Sequence, residues 1–514
     1  MRLTRLVETW QRLTETGGRK AKIDVLAEVI GDMDPDEVRI GVKYLSGELP
    51  QGRPGIGPAS LRKADPETEA TAAALSLREV DEAFQGMAET SGPGSAGERV
   101  RRLRDLLGRA TEPEQAFLRG LIFGELRQGA QAGLMIDAIA VAAAVPKSRV
   151  RRAIMITSDP AAVARAALTG GSEALQRLGI ELFRPVQPML AQTAEDVNAA
   201  LGHLERAAFE PKLDGARIQL HKSGDDVRIF TRQLNDVTPA LPEIVEAASA
   251  LPVREIILDG EAIALSPRGA PLPFQVTMSR FGSRIDVERL RAERPLSPFF
   301  FDCLYLDGTA LIDEPAAERF VALADSLPPD LRLDHVVTEE IEQASAFLER
   351  VMKTGHEGVM AKMLDAPYAA GGRGRAWLKI KPAHTLDLVV LAAEWGHGRR
   401  RGRLSNLHLG ARDPESGGFV MLGKTFKGMT DAMLAWQTER LLSLETRREG
   451  ITVFVRPELV VEIAFNEVQA SRKYPAGLAL RFARVKRYRE DKPAAEADTM
   501  DTVRAIHESR HASS

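Results

Sequence analysis

The chain has 514 residues, which at roughly 150 residues per domain predicts about three domains. Its 69 Lys and Arg residues against 72 Asp and Glu residues give a formal net charge of −3, so any surface for nucleic acid must be local. A single cysteine, Cys303, excludes an internal disulfide framework and a four-cysteine zinc site. No secretory or membrane-length apolar segment is visible, and we expect a protein of the reducing cytoplasm.

Residues 1 to about 180 carry apolar side chains at helical spacing. The two clearest runs are Leu3, Leu6, Val7, Trp10, Leu13, and then Ile23, Leu26, Val29, Ile30. Two segments rich in glycine and proline, residues 51–58 and 91–97, predict loops within this pattern. No strand alternation is visible, so we predict an all-α domain over residues 1–185.

Residues 117–129 form an apolar stretch with arginines close to glycines. Arg119 and Arg127 could be solvated side chains on a buried helix. Alternatively, they could contact phosphate, because glycine lets a backbone approach a ligand closely. The pattern alone leaves both interpretations open.

Residues 184–191 contain two prolines, which favour extended backbone and indicate a domain boundary. Beyond it, residues 217–221 and 227–231 alternate in period two, as strands do. The sequence Ser-Gly-Asp-Asp at residues 223–226 predicts a hairpin turn between them.

The sequence EPKLDGAR at residues 210–217 follows a short apolar run and contains a lysine between two carboxylates. Lys212 is a candidate nucleophile, provided that desolvation and neighbouring cations favour its neutral amine. Asp214 could orient that amine, and Gly215 allows a close turn. The competing interpretation is an exposed lysine at a strand end beside a turn.

Five further motifs follow in order: ILDGEA at 257–262, FDCLYLDG at 301–308, EGVMAK at 357–362, WLKIKP at 377–382, and RYREDK at 487–492. In order and approximate spacing they resemble the motifs of the covalent nucleotidyltransferases, which include ATP-dependent DNA ligases, RNA ligases and mRNA capping enzymes. The resemblance extends from about residue 185 to residue 502. It implies an α+β nucleotidyltransferase domain with an ATP-grasp-like core over residues 186–384.

The resemblance implies a role for each matching side chain near the nucleotide. Lys212 would become the site of covalent AMP attachment. Glu210 would read the adenine amino group, and Arg217 would lie near the ribose. Arg232 would receive the 5′-phosphate of a nick. Phe301 would stack on the base, although it lies in a run of three aromatic residues and could equally belong to the core.

Two glutamates and three lysines are the predicted partners of the phosphates. Glu261 and Glu357 are each expected at the end of an apolar strand, where their oxygens would bind Mg²⁺ or Mn²⁺. Lys362, Lys379 and Lys381 alternate with apolar residues and are expected to point into one cavity. By the resemblance, they would neutralise the α-phosphate.

After residue 384 the chain is again rich in strand patterns, and residues 396–403 form a loop dense in cations. This part, residues 385–514, resembles a β-barrel OB-fold, whose basic loops contact nucleic acid. Candidate DNA contacts are Arg399, Arg400 and Arg401. Arg489 and Lys492 match the last family motif, whose cations orient pyrophosphate.

The helical first part resembles the DNA-binding domain that precedes the catalytic core in many ATP-dependent DNA ligases. Such a domain contacts phosphates without reading sequence. We expect its removal to leave enzyme adenylation largely intact and to weaken nick sealing. The single cysteine argues against the zinc-bearing NAD-dependent ligases.

The complete pattern predicts a monomeric, bacterial-type ATP-dependent DNA ligase that acts at the nucleoid in replication, repair or recombination. It would seal 5′-phosphate/3′-hydroxyl nicks in duplex DNA through a lysyl-AMP intermediate. Its cofactors would be ATP and a divalent metal, and it would not associate with a membrane. Three alternatives remain at this stage. They are an RNA ligase, a capping-type enzyme that uses GTP, and a DNA-binding protein whose catalytic fold has decayed.

Overall fold

The computed structural model describes the chain except residues 53, 67–69, 127–131, 282–285, 371–373, 382–383 and 512–514. The first part is helical. Its helices are α1 (Leu3–Glu15), α2 (Arg19–Gly31), α3 (Val38–Leu45), α4 (Pro58–Lys63), α5 (Leu77–Glu89), α6 (Ser95–Gly108), α7 (Glu112–Phe123), α8 (Ala132–Ala142), α9 (Lys147–Thr157) and α10 (Pro160–Gln176). The predicted helical character of residues 1 to about 180 is confirmed.

Apolar spacing and capping together explain these helices. On α1, Leu3, Leu6 and Leu13 are buried and join one apolar core shared by the helical part. Helix α5 starts at a capping box, in which Ser76 and Glu79 satisfy each other's backbone N–H groups.

One predicted loop and the extent of one apolar stretch need correction. Helix α6 already begins at Ser95, so only the first half of segment 91–97 is a loop, and it ends at Gly94 with φ 83°. The apolar stretch at 117–129 is helical only to Phe123, where Gly124 ends α7 in a left-handed conformation. Arg127 lies outside the described residues.

The middle part mixes strands and helices. The strands are β1 (Gln192–Ala194), β2 (Ala207–Pro211), β3 (Ala216–Ser223), β4 (Asp226–Thr231), β5 (Glu255–Ala264), β6 (Leu296–Leu306), β7 (Thr309–Ala310), β8 (Val336–Thr338), β9 (Val359–Met363) and β10 (Trp377–Ile380). The helices are α11 (Val197–Leu204), α12 (Pro242–Ser249), α13 (Phe274–Phe281), α14 (Val287–Glu293), α15 (Ala316–Ser326) and α16 (Ile341–Lys353).

Two five-stranded sheets organise this part, with strand orders β1-β10-β9-β2-β8 and β4-β3-β5-β6-β7. The predicted hairpin is confirmed, because β3 and β4 pair up to Ser223 opposite Asp226 and Gly224 has φ 58°. Strand β2 belongs to the first sheet and β3 to the second. The loop between them, which contains Lys212, therefore crosses from one sheet to the other.

The C-terminal part is rich in strands. It contains β11 (His384–Trp395), β12 (Leu404–Arg412), β13 (Phe419–Thr425), β14 (Glu445–Glu449), β15 (Thr452–Val455), β16 (Val460–Phe465), β17 (Glu467–Ala470), β18 (Leu478–Arg481) and β19 (Arg484–Tyr488), with α17 (Asp431–Ser443) and α18 (Met500–His511). Strand β11 pairs with β12, β15 and β16 in a seven-stranded sheet, and β17 and β18 form a separate hairpin.

One apolar cluster joins the helical part to the middle part. Met155 and Ile156 of α9 are buried in it together with Phe301, Tyr368 and Trp377. Among the described residues, no helix combines the length and the apolar character that a membrane span requires.

Candidate active site

A cavity of about 300 Å³ opens between the two sheets of the middle part. Of the residues predicted from sequence, those lining it are Glu210, Lys212, Arg217, Arg232, Glu261, Phe301, Lys362, Lys379 and Lys381. They come from β2, β3, β5, β6, β9, β10 and the loops beside them. The expectation that Lys362, Lys379 and Lys381 share one cavity is confirmed.

The backbone around Lys212 is held by the segment that precedes β9. The Lys212 N–H donates to the Gly358 carbonyl at 2.8 Å, and the Glu357 N–H donates to the Lys212 carbonyl at 3.3 Å. This exchange continues the pairing of β2 with β9, in which Pro211 is opposite Val359. The lysine therefore emerges from a fixed strand end.

Two glycines make this close approach feasible. Gly358 has φ 145°, and a Cβ atom there would lie 2.2 Å from the Ile380 carbonyl oxygen. A Cβ atom on Gly215 would lie 2.5 Å from the Ala262 carbonyl oxygen. Any side chain at either position would push the segments that carry the site's charged groups apart.

The Lys212 amine is ion-paired in the cavity. Its Nζ donates to Glu357 Oε2 at 2.6 Å and to the Leu213 carbonyl at 3.2 Å. Lys381 forms an ion pair with the same Glu357 oxygen. Burial would raise the pKa of Glu357, but the two ammonium groups outweigh it and lower the pKa to about 2. Glu357, rather than Asp214, accepts the amine's hydrogen bond.

Asp214 has a different setting from Glu357. Burial and the charge of Glu357 raise its pKa to about 6. It lines a second cavity, of about 380 Å³, between the middle and C-terminal parts. Its predicted task of orienting the amine falls to Glu357 in this arrangement.

The predicted positions of the two candidate metal ligands were wrong in detail. Glu261 lies inside β5, opposite Arg217 of β3, and not at a strand end. Glu357 precedes β9 rather than ending a strand. The alternation of β5 places Glu261 at the cavity wall, and the crossing loop brings Lys212 there. Glu357 does not line the cavity and reaches it through its ion pair with the Lys212 amine.

Glu261 carries an unusual protonation equilibrium. Burial raises its pKa to about 7, against the charges of Arg217 and Lys212, which lower it. No group of three or more His, Cys, Asp or Glu residues that could hold a metal occurs among the described residues. Mg²⁺ is commonly bound by one or two carboxylates together with substrate phosphates, so the carboxylates here fit an ion that arrives with a nucleotide.

Glu210 and Lys362 form a buried ion pair at 2.6 Å. Lys362 also donates to the Phe301 carbonyl at 3.0 Å, and its Nζ lies 4.6 Å from the ring centroids of both Phe301 and Trp377. Burial raises the pKa of Glu210, while Lys362 opposes the shift. This part of the cavity therefore combines a buried ion pair with two aromatic rings, whereas Lys212 and Lys381 are both paired with Glu357.

Phe301 lies both in the core and at the cavity, and its stacking on a base stays a prediction. It is 9% exposed and belongs to the apolar cluster, yet it lines the cavity. Its ring meets Trp377 edge to face, and Arg217 lies 5.3 Å from its centroid. A base in the cavity could reach only the part of the ring that faces inward.

Three further side chains complete the cavity's support, and their roles were missed. Asp259 forms a bidentate ion pair with Arg217, accepting from Nε and Nη2 of the guanidinium. Tyr368 donates to Asp259 at 2.7 Å, and Trp377 forms an aromatic wall. Asp259 and Trp377 lie inside quoted motifs, so their positions were visible. Tyr368 lies between two motifs and gave no signal of its own.

Several predicted residues are not brought to this cavity. Arg489 and Lys492 both pair with Asp387, at 2.9 and 2.8 Å. The C-terminal part contains a single helical turn at Gly398–Arg400, which includes Arg399 and Arg400. Arg401 directly follows this turn.

Arg119 does not line the cavity either. It lies on α7, pairs with Asp65 at 2.7 Å and donates to Gln115 at 3.2 Å. It is thus occupied within the helical part, and its predicted contact with DNA stays a prediction.

The site is a lysine-lined cavity between two sheets, which is the arrangement of a nucleotidyltransferase. Three family models match the chain. They are an ATP dependent DNA ligase domain over residues 188–381, an ATP dependent DNA ligase C terminal region over residues 400–492, and a DNA ligase N terminus over residues 59–140.

Curated relatives match nearly the whole chain. A probable DNA ligase of Anaeromyxobacter sp. (strain Fw109-5) is 56% identical over 509 residues, covering 99% of this chain and 98% of the relative. One of Mycobacterium sp. (strain KMS) is 54% identical and covers 94% of each chain. The chain belongs to the family of ATP-dependent DNA ligases.

A solved structure named "Pmar-Lig_PreS3" has the same overall fold. Its TM-score is 0.55, it is 18% identical, and the match covers 94% of this chain and 99% of that chain. The likeness extends through the helical, middle and C-terminal parts, and it concerns the fold alone.

Proposed function

We propose that the chain seals 5′-phosphate/3′-hydroxyl nicks in duplex DNA and that Lys212 carries AMP between the steps. The observation that carries this proposal is the Lys212 amine, which lies in the cavity beside Lys381 and is bonded to Glu357 at 2.6 Å. A nucleophile held from a fixed strand end needs little reorganisation to meet a bound phosphate.

The reaction has three displacements at phosphorus. The neutral Lys212 amine attacks the α-phosphorus of ATP, forms a P–N bond and releases pyrophosphate. The 5′-phosphate of the nick then attacks the same phosphorus, takes AMP and frees the lysine. Finally the 3′-hydroxyl attacks the 5′-phosphate and AMP leaves with the anhydride oxygen.

The surrounding charges support these steps. Glu357 remains ionised because its pKa is about 2, so it orients the amine and is poorly suited to take its proton. Lys379 and Lys381 would offset the negative charge of the α-phosphate. When ATP binds, its phosphates would compete with Glu357 for Lys381 and loosen the hold on Lys212.

The carboxylates of Glu261 and Glu357 would hold a divalent ion, Mg²⁺ or Mn²⁺, together with the nucleotide phosphates. The ion would supply charge stabilisation of the leaving pyrophosphate. Glu210, Arg217 and Phe301 would contact the adenosine, with the roles that the family resemblance implies.

We further propose the division into residues 1–185 as a helical DNA-binding domain, 186–384 as the adenylation domain and 385–514 as an OB-fold barrel. The seven-stranded sheet around β11 supports the last assignment. Arg232 would receive the 5′-phosphate. Arg399, Arg400 and Arg401 would contact the duplex backbone, as would Arg119 and Arg127. A chromosomal substrate would place the enzyme at the nucleoid.

Incubation with α-labelled ATP or GTP, followed by denaturing electrophoresis, tests the proposal. We expect a covalent adduct from ATP alone, and closure of a nicked duplex after the ATP has been removed. An adduct from GTP would favour the capping-type alternative. The absence of any adduct would contradict the covalent mechanism.

A further inference from the structure

The segment of residues 183–189, here the connecting segment, joins the helical part to the middle part and is bonded on both sides. Two of these bonds are made with the helical part. The Gln187 N–H donates to the carbonyl of Met155 in α9 at 2.9 Å, and Ser158 Oγ, just after α9, donates to the Pro185 carbonyl at 2.8 Å. The connecting segment is therefore attached to the end of α9 and is not a free linker.

The other side of the connecting segment is bonded to β3. The Val186 N–H donates to Gln219 Oε1 at 2.7 Å, and Gln219 Nε2 donates back to the Val186 carbonyl at 3.1 Å. At the start of the connecting segment, the Phe183 N–H donates to Nδ1 of His221 at 3.0 Å. Gln219 and His221 lie on the strand that carries Arg217, so α9, the connecting segment and β3 form one continuous support.

The last residue of the connecting segment reaches the nucleotide cavity through Tyr368. The Met189 N–H donates to the Tyr368 hydroxyl at 2.9 Å, and that hydroxyl donates to Asp259 Oδ2 at 2.7 Å. Arg217 donates to the Met189 carbonyl at 2.7 Å and pairs with Asp259. A closed network thus links Met189, Tyr368, Asp259 and Arg217.

Helix α9 also packs directly behind the aromatic wall of the cavity. Met155 and Ile156 are buried in the apolar cluster that contains Phe301 and Trp377. The Ala370 N–H donates to Met155 Sδ at 2.9 Å. Displacement of α9 would therefore remove packing from the two rings nearest Lys362.

We propose that Tyr368 is a positioning residue for the nucleotide cavity: its hydroxyl fixes the Arg217–Asp259 pair to Met189 and so couples the docked helix α9 to ATP binding. This inference rests on the proposed function and adds a task for the helical part in the first chemical step, in which no DNA takes part. Tyr368 would act through Arg217 and not on the reacting atoms.

The burial of the network explains why one hydroxyl has this effect. The side chain of Asp259 is 1% exposed and that of Arg217 is 16% exposed, so lost hydrogen bonds are not replaced by bulk water. Burial also raises the pKa of Tyr368, which keeps the hydroxyl protonated and able to donate. Without it, the Met189 N–H has no acceptor, and one Asp259 oxygen loses a donor.

The test is Tyr368→Phe in the full chain, with single-turnover formation of the lysine adduct measured against ATP concentration. We expect the half-saturating ATP concentration to rise about tenfold, the effect of one lost hydrogen bond to a charged group, while the maximal rate changes little. Tyr305→Phe is the matched control, since the Tyr305 hydroxyl also donates to a carboxylate, Glu255, at 3.0 Å. It should behave like the unsubstituted protein.

A second pair of variants tests the coupling to α9. Met155→Ala removes packing behind the aromatic wall and should also raise the half-saturating ATP concentration. Met155→Leu keeps most of the packing and loses only the sulfur acceptor, so it should raise that concentration less. In the double variant with Tyr368→Phe, Met155→Ala should raise the half-saturating ATP concentration by a smaller factor than it does alone, because both residues act through one support. Effects that multiply independently would overturn the coupling.

The outcomes also separate this inference from the proposed function. If the unsubstituted protein forms no adduct, the covalent mechanism fails. If it forms the adduct and Tyr368→Phe binds ATP unchanged, only the positioning role fails. A loss confined to the maximal rate would likewise overturn it, since the support is inferred to act on nucleotide binding.

Discussion

Lys212 and Glu357 are joined twice, by a side-chain ion pair at 2.6 Å and by a backbone bond from the Glu357 N–H to the Lys212 carbonyl at 3.3 Å. The backbone bond fixes the strand ends, and the side-chain bond fixes the amine. Lys381 pairs with the same carboxylate, so one anion holds two cations at the cavity.

Lys212→Arg is expected to abolish the adduct formed with labelled ATP. The guanidinium retains a positive charge and its hydrogen bonds, but it stays protonated and offers no lone pair for attack. Lys353→Arg, an exposed position at the end of α16, is the control and should label normally. Labelling of Lys212→Arg would remove Lys212 as the nucleophile.

Glu357→Gln is expected to slow adduct formation by roughly a hundredfold, the scale of losing one preorganised electrostatic partner. The amide still accepts a hydrogen bond, but two neighbouring ammonium groups would no longer be offset by a charge. Rates at saturating ATP, measured against Glu255→Gln at the start of β5, check this expectation. A rate within about threefold of that of the unsubstituted protein would mean that Glu357 does not orient the amine.

The motif residues could be located in advance because each lies in a short local pattern. Lys362, Lys379 and Lys381 alternate with apolar residues, and strand geometry then requires a common side. The partners could not be foreseen. Asp259 and Tyr368 are separated by 109 residues, and no local pattern indicates that they share a hydrogen bond.

The helical part presents the same limit. Its helices follow from apolar spacing, but the spacing does not reveal that Met155 and Ile156 face another part of the chain. For Glu261, the apolar run suggested a strand end, whereas β5 continues to Ala264. The strand continues because residues 262–264 are apolar and buried as well.

Glu261→Gln should change the pH dependence of stability. The pKa of Glu261 is raised from 4.5 to about 7 in the folded chain, so its contribution is fully present below pH 4.5 and is lost as the pH rises through 7. Glutamine does not titrate. We compare the free energy of unfolding of the variant with that of the unsubstituted protein. Between pH 4.5 and pH 8, the difference should shift by about 3 kcal/mol in favour of the variant.

Urea unfolding of both proteins without nucleotide or metal, at pH 4.5 and pH 8, measures this difference. A difference between the proteins that is the same at both pH values would contradict the raised pKa. The same variant should lose adduct formation at pH 8. Glu261 would then lower the stability of the protein at that pH and still be required for the reaction.

Deletion of residues 1–185 should impair adduct formation, contrary to the expectation from sequence. The deletion removes Met155 and Ile156 from the cluster behind Phe301 and Trp377 and leaves the Gln187 N–H without the Met155 carbonyl. The half-saturating ATP concentration and the thermal midpoint of the truncated chain would show the effect. Unchanged ATP dependence would mean that the helical part serves DNA binding alone.

Arg489 and Lys492 provide the sharpest separation of the chemical steps. Both pair with Asp387 and neither lines the cavity, so a task in orienting pyrophosphate requires the C-terminal part to move toward ATP. Residues 382–385 connect the middle part to the C-terminal part; residues 382–383 lie outside the described residues, and His384 already belongs to β11.

Replacing Arg489 or Lys492 by Ala should slow adduct formation from ATP by about 2 to 4 kcal/mol of lost transition-state stabilisation. Closure of a nick that already carries 5′-AMP should suffer much less, because no pyrophosphate leaves in that step. Arg487→Ala is the matched control: it lies near the end of β19, two residues before Arg489, is 67% exposed and pairs with Glu462. Single-turnover rates of both reactions with each variant distinguish the cases. Equal impairment of both reactions would mean that Arg489 and Lys492 contact DNA throughout, and the movement of the C-terminal part would then lose its basis.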